Sequence, residues 1–235
     1  MMKEENNIIA ITSDIDWAHD EVIKYMLSIL DEYNTKITFF CTHEIKIKEM
    51  SKHELAIHPN FTKDKTDRET IQELMSLYPG AKGTRSHSLY IHSRLFEIYQ
   101  EFGLEYDSNY ILPNQIIKPF FIANNILELP IFFEDDSHLL KSANFDLSQF
   151  DLGRDGLKIF NFHPIHVFLN TEQISTYEKA KKYLHEPAKL EKFRNPNKGT
   201  EDMFISLLDY LVDSGIRTLT LKEISDNYRG YLNGE

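Results

Sequence analysis

Short apolar runs alternate along the chain with stretches whose apolar residues recur at helical spacing. Residues 8–13 form an apolar run that ends in Thr12 and Ser13, which predicts a buried strand. Residues 21–33 place Val22, Met26, Ile29 and Leu30 on one side of a helix. Residues 36–41 are β-branched and aromatic, so a second strand is expected, and 55–57 predict a third. Helices are expected over 68–77, with Asp67 as cap and Pro79-Gly80 as stop, and over 93–102, with Gly103 just past the end. Residues 127–133 and 157–162 read as later strands. A helix over 201–213 closes at Ser214-Gly215 and leads into an expected last strand, 217–221. This order argues for a parallel sheet or barrel with helices outside. Residues 171–200 are charged and broken at Pro187 and Pro196, and are expected to be an insertion or lid within a single domain of residues 1–235.

In such folds the chemistry gathers at the carboxyl ends of the strands. The first strand runs into Asp14-Ile15-Asp16. Residues two apart on an extended segment share a face, so both carboxylates are expected at the mouth, one to ligate a metal and the other to act as a base. Asp20 and Glu21 suit the first turn of the next helix. His58 terminates the third strand, and a neutral imidazole is a common ligand for transition metals. His53 precedes that strand and is expected on the opposite, surface rim. Gly83-Thr84-Arg85-Ser86-His87 follows a fourth strand. There Arg85 is suited to hold a carboxylate, and His87 shares its face. His163-Pro164 repeats the arrangement of His58-Pro59, and His163 is a candidate general acid. Pro164 argues against His163 and His166 acting as a helical metal pair.

Composition narrows the chemistry. The chain has 235 residues, with 26 Lys plus Arg against 37 Asp plus Glu, a formal net charge of −11. Such an acidic surface repels phosphate backbones, so nucleic acid is not an expected partner. Cys41 is the only cysteine, which excludes an internal disulfide and a cysteine zinc site and turns attention to the ten histidines. Residues 1–7 carry no export-signal pattern and no run approaches the ~18–20 apolar residues of a membrane span, so a cytoplasmic protein is expected.

Taken together, Asp14/Asp16, Ile37-Thr38-Phe39-Phe40, residues 54–59, Gly83-Thr84-Arg85, Leu127-Glu128-Leu129-Pro130 and Phe162-His163-Pro164 resemble the motifs of the polysaccharide deacetylases. These are the NodB-homology carbohydrate esterases of family 4, and the Asp-x-Asp form is similar to a divergent subset. The resemblance runs from about residue 8 to 168 and resumes near 201–224. It implies a distorted (β/α)7 barrel of NodB type and a divalent metal, zinc above all. It further implies that Asp14 is the base, that Asp16 and His58 are metal ligands, that Arg85 holds Asp14 and that His163 protonates the leaving amine. The family's second metal histidine falls on Thr62, a poor zinc ligand. The third ligand is therefore expected from His87, then His138, with Asn60 as a carbonyl donor. One aspartate of Asp135-Asp136 is expected to pair with Arg85 or to orient His163, and Asp136 is taken into the site. The implied reaction removes an acetyl group from an N-acetylated sugar, nucleotide-linked or lipid-linked. Hydrolysis of another C–N bond, in a cyclic imide or ureide, and metal-free sugar binding are the alternatives.

Overall fold

The computed structural model describes residues 7–141 and 144–233; residues 1–6, which the export-signal expectation concerns, lie outside them. The chain runs β1 (Asn7–Asp14), α1 (Asp20–Glu32), β2 (Thr38–Cys41), β3 (Glu54–Ile57), α2 (Asp67–Leu77), β4 (Gly83–Thr84), α3 (Ser93–Glu101), β5 (Tyr106–Asp107), β6 (Phe120–Phe121), β7 (Leu127–Glu128), β8 (Phe133–Glu134), α4 (Asp135–Leu139), β9 (Gly156–Asn161), α5 (Pro164–Leu169), α6 (Ile174–Ala180), α7 (Pro187–Leu190), α8 (Thr200–Ser214) and α9 (Leu221–Asn233). The strands form one sheet in the order β6-β7-β5-β4-β3-β2-β1-β9-β8, parallel except for the β6–β7 pair.

Alternation along each strand sorts the side chains. Ile9 and Ile11 of β1, Phe39 of β2 and Phe160 of β9 face the outer helices and join the larger core cluster. Ala10, Phe40, Ala56, Tyr106, Leu127 and Ile159 point inward and form a smaller core inside the barrel, stoppered at the amino-terminal end by Leu221 and Ile224 of α9. Tyr106 fills this interior so closely that a Cβ on neighbouring Gly83 would lie 1.8 Å from its ring.

The expected single strand 127–133 is two short strands, because the segment changes partners midway. Leu129 N–H donates to Asp107 O on the β5 side (2.9 Å) and Phe132 N–H to Ile159 O on the β9 side (2.9 Å). Pro130 between them has no N–H to give. The segment thereby joins the two flanks of the curled sheet and closes a distorted barrel.

The expected last strand 217–221 does not form. Its polar groups pair with side chains and loop carbonyls instead: Thr218 Oγ1 donates to Lys36 O (3.1 Å), and Leu221 N–H donates to Thr38 Oγ1 (2.9 Å). Thr220 and Glu223 then cap α9 reciprocally, at 2.8 and 3.3 Å. The cap of α2 is likewise Thr66, boxed with Glu69, rather than Asp67. His53 is half-buried, accepting from Ile37 N–H at 3.3 Å, rather than a surface residue. Among the described residues no helix is long and apolar enough to cross a membrane.

Candidate active site

The inward register of the strands, carried one or two residues past their carboxyl ends, supplies the side chains of a pocket at the barrel mouth. Its volume is about 210 Å³, and Asp14, Asp16, His58, His87, Asp136 and His163 are among its walls. Of the residues singled out for the site, Asp14, Asp16, His58, His87, Asp136 and His163 lie here and Arg85 directly beneath, whereas His138 and Asn60 do not.

Asp14 and Arg85 form the buried base of the pocket. Arg85, fully buried, donates from Nη1 to Asp14 Oδ1 (2.8 Å), to Asn161 Oδ1 (2.6 Å) and to Thr12 Oγ1 (3.0 Å). Its Nε and Nη2 are held by Ser108 O and Oγ, both at 2.8 Å, and its guanidinium lies 4.2 Å over the Phe40 ring. Asn161 Nδ2 donates to the other oxygen of Asp14 at 3.1 Å. Burial pushes the Asp14 carboxyl up, but the charge of Arg85, with His58 and His163, outweighs it and holds the group below its ordinary value. Asn161 and Ser108 were not singled out in the sequence, although Asn161 shares the parity of His163 two residues on.

Asp16 does not continue β1 in extended form. Asp16 and Trp17 adopt left-handed backbone conformations (φ 38° and 55°), costly for non-glycine residues and common at functional sites. This turn brings Asp16 Oδ1 to 3.2 Å from His58 Nε2 and 3.1 Å from His87 Nδ1. Burial raises the Asp16 carboxyl, yet its bonds to the two histidines drive it far below its ordinary value, and His87 is raised by the same bond. His58 Nδ1 lies 2.6 Å from the Arg85 carbonyl, which can only accept, so Nδ1 carries the proton. Its Nε2 lone pair therefore faces the Asp16 carboxylate, acceptor against acceptor, unless a proton or a cation lies between them. Ligand atoms of Asp16, His58 and His87 all lie within 4.8 Å of one another. Two imidazoles and one carboxylate, with the pocket open above them, match the donor set of a catalytic zinc site. The Arg85 carbonyl is the outer partner that fixes the His58 tautomer. Of the other candidates for a third ligand, His138 is bound to Asn144 O (2.9 Å) and faces a different cavity, and Asn60 is not among the pocket walls.

His163 faces these residues from β9. Asp135 grips it twice, accepting from its backbone N–H at 2.7 Å and from Nδ1 at 2.6 Å. Its Nε2 lies 3.7 Å from Asp16 Oδ2 and 4.0 Å from Asp14 Oδ2 and Asp136 Oδ2. Burial disfavours a charged ring, but Asp135 and Asp136 overcome this and hold its pKa well above 6.5. The orienting aspartate is thus Asp135. Asp136 instead bonds His166 Nε2 at 2.5 Å, while also lining the pocket. Pro164 opens α5 at its first position rather than breaking it, which is why His166 reaches the site's edge. The 171–200 excursion packs on the body through Ala180 and Leu190, and its Tyr177 ring sits 4.7 Å from His166; none of its residues lines the pocket. Glu134, at the end of β8, completes the wall, its carboxyl pushed up to about 7 by burial.

A parallel barrel with carboxylates and histidines converging at its carboxyl mouth defines a class of hydrolytic sites. The sequence profile of the WbmS-like polysaccharide deacetylases matches residues 11–181, and the chain belongs to that family. Among solved structures, a candidate polysaccharide deacetylase involved in O-antigen biosynthesis, WbmS of Bordetella bronchiseptica, is 30% identical with a TM-score of 0.81, covering 88% of this chain and 91% of that one. A candidate polysaccharide deacetylase of Mycobacterium smegmatis is 15% identical (TM-score 0.61; 98% and 93% covered), and a family 4 carbohydrate esterase of Bacillus anthracis 13% (TM-score 0.52; 94% and 83%). These two likenesses concern the fold. No curated protein matches.

Proposed function

We propose that the protein is a metal-dependent hydrolase that removes the acetyl group from an N-acetylated sugar of a glycan precursor. Asp16, His58 and His87 would hold a divalent cation, zinc fitting the nitrogen and oxygen donors best. Bound there, it would polarise the amide carbonyl and make a water more acidic. Asp14 takes the proton of the attacking water, held for this by Arg85 and Asn161. As the C–N bond breaks, His163 passes its Nε2 proton to the leaving nitrogen, so acetate and the free amine depart. Asp136 carries negative charge beside His163. The observation that carries this reading is the geometry of one pocket: the Asp14 carboxylate, held by Arg85 at 2.8 Å and Asn161 at 3.1 Å, faces the His163 ring, whose Nδ1 is held by Asp135 at 2.6 Å and whose Nε2 lies 4.0 Å from Asp14.

The relative involved in O-antigen biosynthesis supports a precursor glycan as substrate. Our reading places that substrate in the cytoplasm and takes residues 1–235 as one domain, with the 171–200 segment packed beside the edge of the site through Tyr177 and His166. Acetate release from N-acetylated sugars by the zinc-loaded protein tests the reading. Asp14→Asn is expected to abolish release with bound zinc unchanged. Loss of zinc instead would reverse the roles of Asp14 and Asp16, and no release by wild type from any N-acetylated sugar would overturn the assignment.

A further inference from the structure

Pro164 joins His163 and His166 rather than separating them. With Pro164 at the first position of α5, His163 directly precedes the helix and His166 lies in its first turn, so the two rings meet edge to face with centroids 5.8 Å apart. Each ring is fixed by an outer partner at Nδ1: Asp135 Oδ1 at 2.6 Å from His163, and Thr171 Oγ1 at 3.1 Å from His166. Both Nε2 atoms are thereby turned to one carboxylate. Asp136 Oδ1 lies 2.5 Å from His166 Nε2, and Asp136 Oδ2 lies 4.0 Å from His163 Nε2. Ligand atoms of these three residues all fall within 4.8 Å of one another, as do those of Asp16, His58 and His87.

Histidines that bind transition metals are characteristically held in this way, by a hydrogen bond at the nitrogen facing away from the ion. The two rings are buried, while Asp136 is partly exposed and lines the catalytic pocket, which gives a cation its entry. The neighbouring set of Asp14, Glu134 and His163 is a poorer host: it offers one nitrogen, and both Asp14 oxygens are already bonded to Arg85 and Asn161. We propose that Asp136, His163 and His166 form a second, inhibitory site for a divalent transition metal such as zinc, filled when the ion is in excess. The consequence rests on the deacetylase reading. The cation takes the His163 Nε2 lone pair that otherwise carries the proton for the leaving nitrogen, and turnover stops. The site binds about a thousandfold more weakly than Asp16, His58 and His87, because His163 must release its proton and the Asp136–His166 bond must open.

The test titrates zinc into the metal-free full chain. Equilibrium dialysis with elemental analysis counts the bound ions, and nitrogen NMR reads the histidine rings. Two ions per chain are expected, the first shifting His58 and His87 and the second shifting Nε2 of His163 and His166. His166→Gln, which keeps a donor for Asp136, is expected to bind one ion. Thr171→Val leaves all three ligands and removes only the outer partner, and is expected to weaken the second ion by about 10–100-fold. Thermal unfolding checks that both variants fold. Acetate release from N-acetylglucosamine and its β-linked disaccharide is expected to fall about 10²-fold or more as the second site of the wild type fills, the worth of a lost acid, and to persist in His166→Gln. One ion per chain in the wild type, or a second ion that leaves the His163 and His166 resonances in place, overturns the site and leaves the deacetylase reading standing. Filling that leaves release unchanged, or raises it, overturns the inhibitory role. Two ions with the expected shifts but no release from any N-acetylated sugar keep the site and overturn the deacetylase reading.

Discussion

Asp135 decides which nitrogen of His163 carries its proton into the pocket. Because the carboxylate accepts from both the backbone N–H and Nδ1, the ring cannot turn and Nε2 is left facing Asp14 and Asp16. Asp135→Asn offers one oxygen where two are used and permits the wrong tautomer. It is expected to lower kcat by about 10²–10⁴, the usual worth of a positioned acid, with zinc content unchanged by elemental analysis. Arg85 has a different failure. Its five hydrogen bonds, the one to Asp14 among them, lie out of water, with side-chain exposures of 0% for Arg85 and 4% for Asp14. Arg85→Met would leave the Asp14 carboxylate buried without compensation, a loss of about 3–5 kcal/mol. Urea denaturation reads it, and a loss under 1 kcal/mol would show that Asp14 is not ionised in the folded protein.

At the scale of elements, Thr84, Asp107 and Glu128 stand in one row across β4, β5 and β7. Asp107 Oδ2 and Glu128 Oε2 are buried without a hydrogen-bond partner among the described residues. Burial pushes Asp107 up to about 7 against the pull of Asn109 and Ser108, and burial together with Asp107 pushes Glu128 well above 4.5. The folded state therefore holds protons that the unfolded chain releases near its ordinary carboxylate values. The stability these two groups contribute is full below about 4 and is lost as pH rises through about 7. Glu128→Gln removes one of the two carboxyls, so the loss between pH 5 and pH 8 is expected to shrink. Equal slopes for variant and wild type in urea midpoints would contradict this.

The elements also show what sequence patterns carry. The strands leading to Asp14, His58 and His163 were legible because apolar runs stop at polar residues, whereas the two-residue strand before Arg85 has no apolar run and only its Gly-Thr-Arg segment marked it. The left-handed turn at Asp16 was not legible, since no glycine marks it. Nor was the division of labour between Asp135 and Asp136, which depends on which oxygen reaches which ring. The start of α9 was written in Thr220-Leu221-Lys222-Glu223, a capping box, but threonines and leucines read first as a strand.

For the whole molecule, the barrel has one closed end and one open end. Leu221 and Ile224 seal the first, and the second gathers Asp14, Asp16, Asp135, Asp136 and Glu134 in a chain whose net charge is already −11. The ionised members of that group repel one another, and among the described residues at the site only Arg85 is permanently cationic. A divalent ion between Asp16, His58 and His87 would offset part of that repulsion in the folded state alone, since the unfolded chain cannot assemble the three ligands. Metal binding on the proposed ligands would therefore be linked to stability: at a hundred times Kd it would add about 2.7 kcal/mol. For a chain of this size that corresponds to a rise in Tm of roughly 5–10 °C. Titrating zinc into metal-free protein is expected to produce this rise, and chelation to reverse it. His58→Ala should lose the response, since its imidazole is removed from the ligand set. His138→Ala should keep it, because His138 faces the neighbouring cavity. A response that survives His58→Ala but not His138→Ala would move the cation away from the barrel mouth, and with it the acid and base assigned to Asp14 and His163.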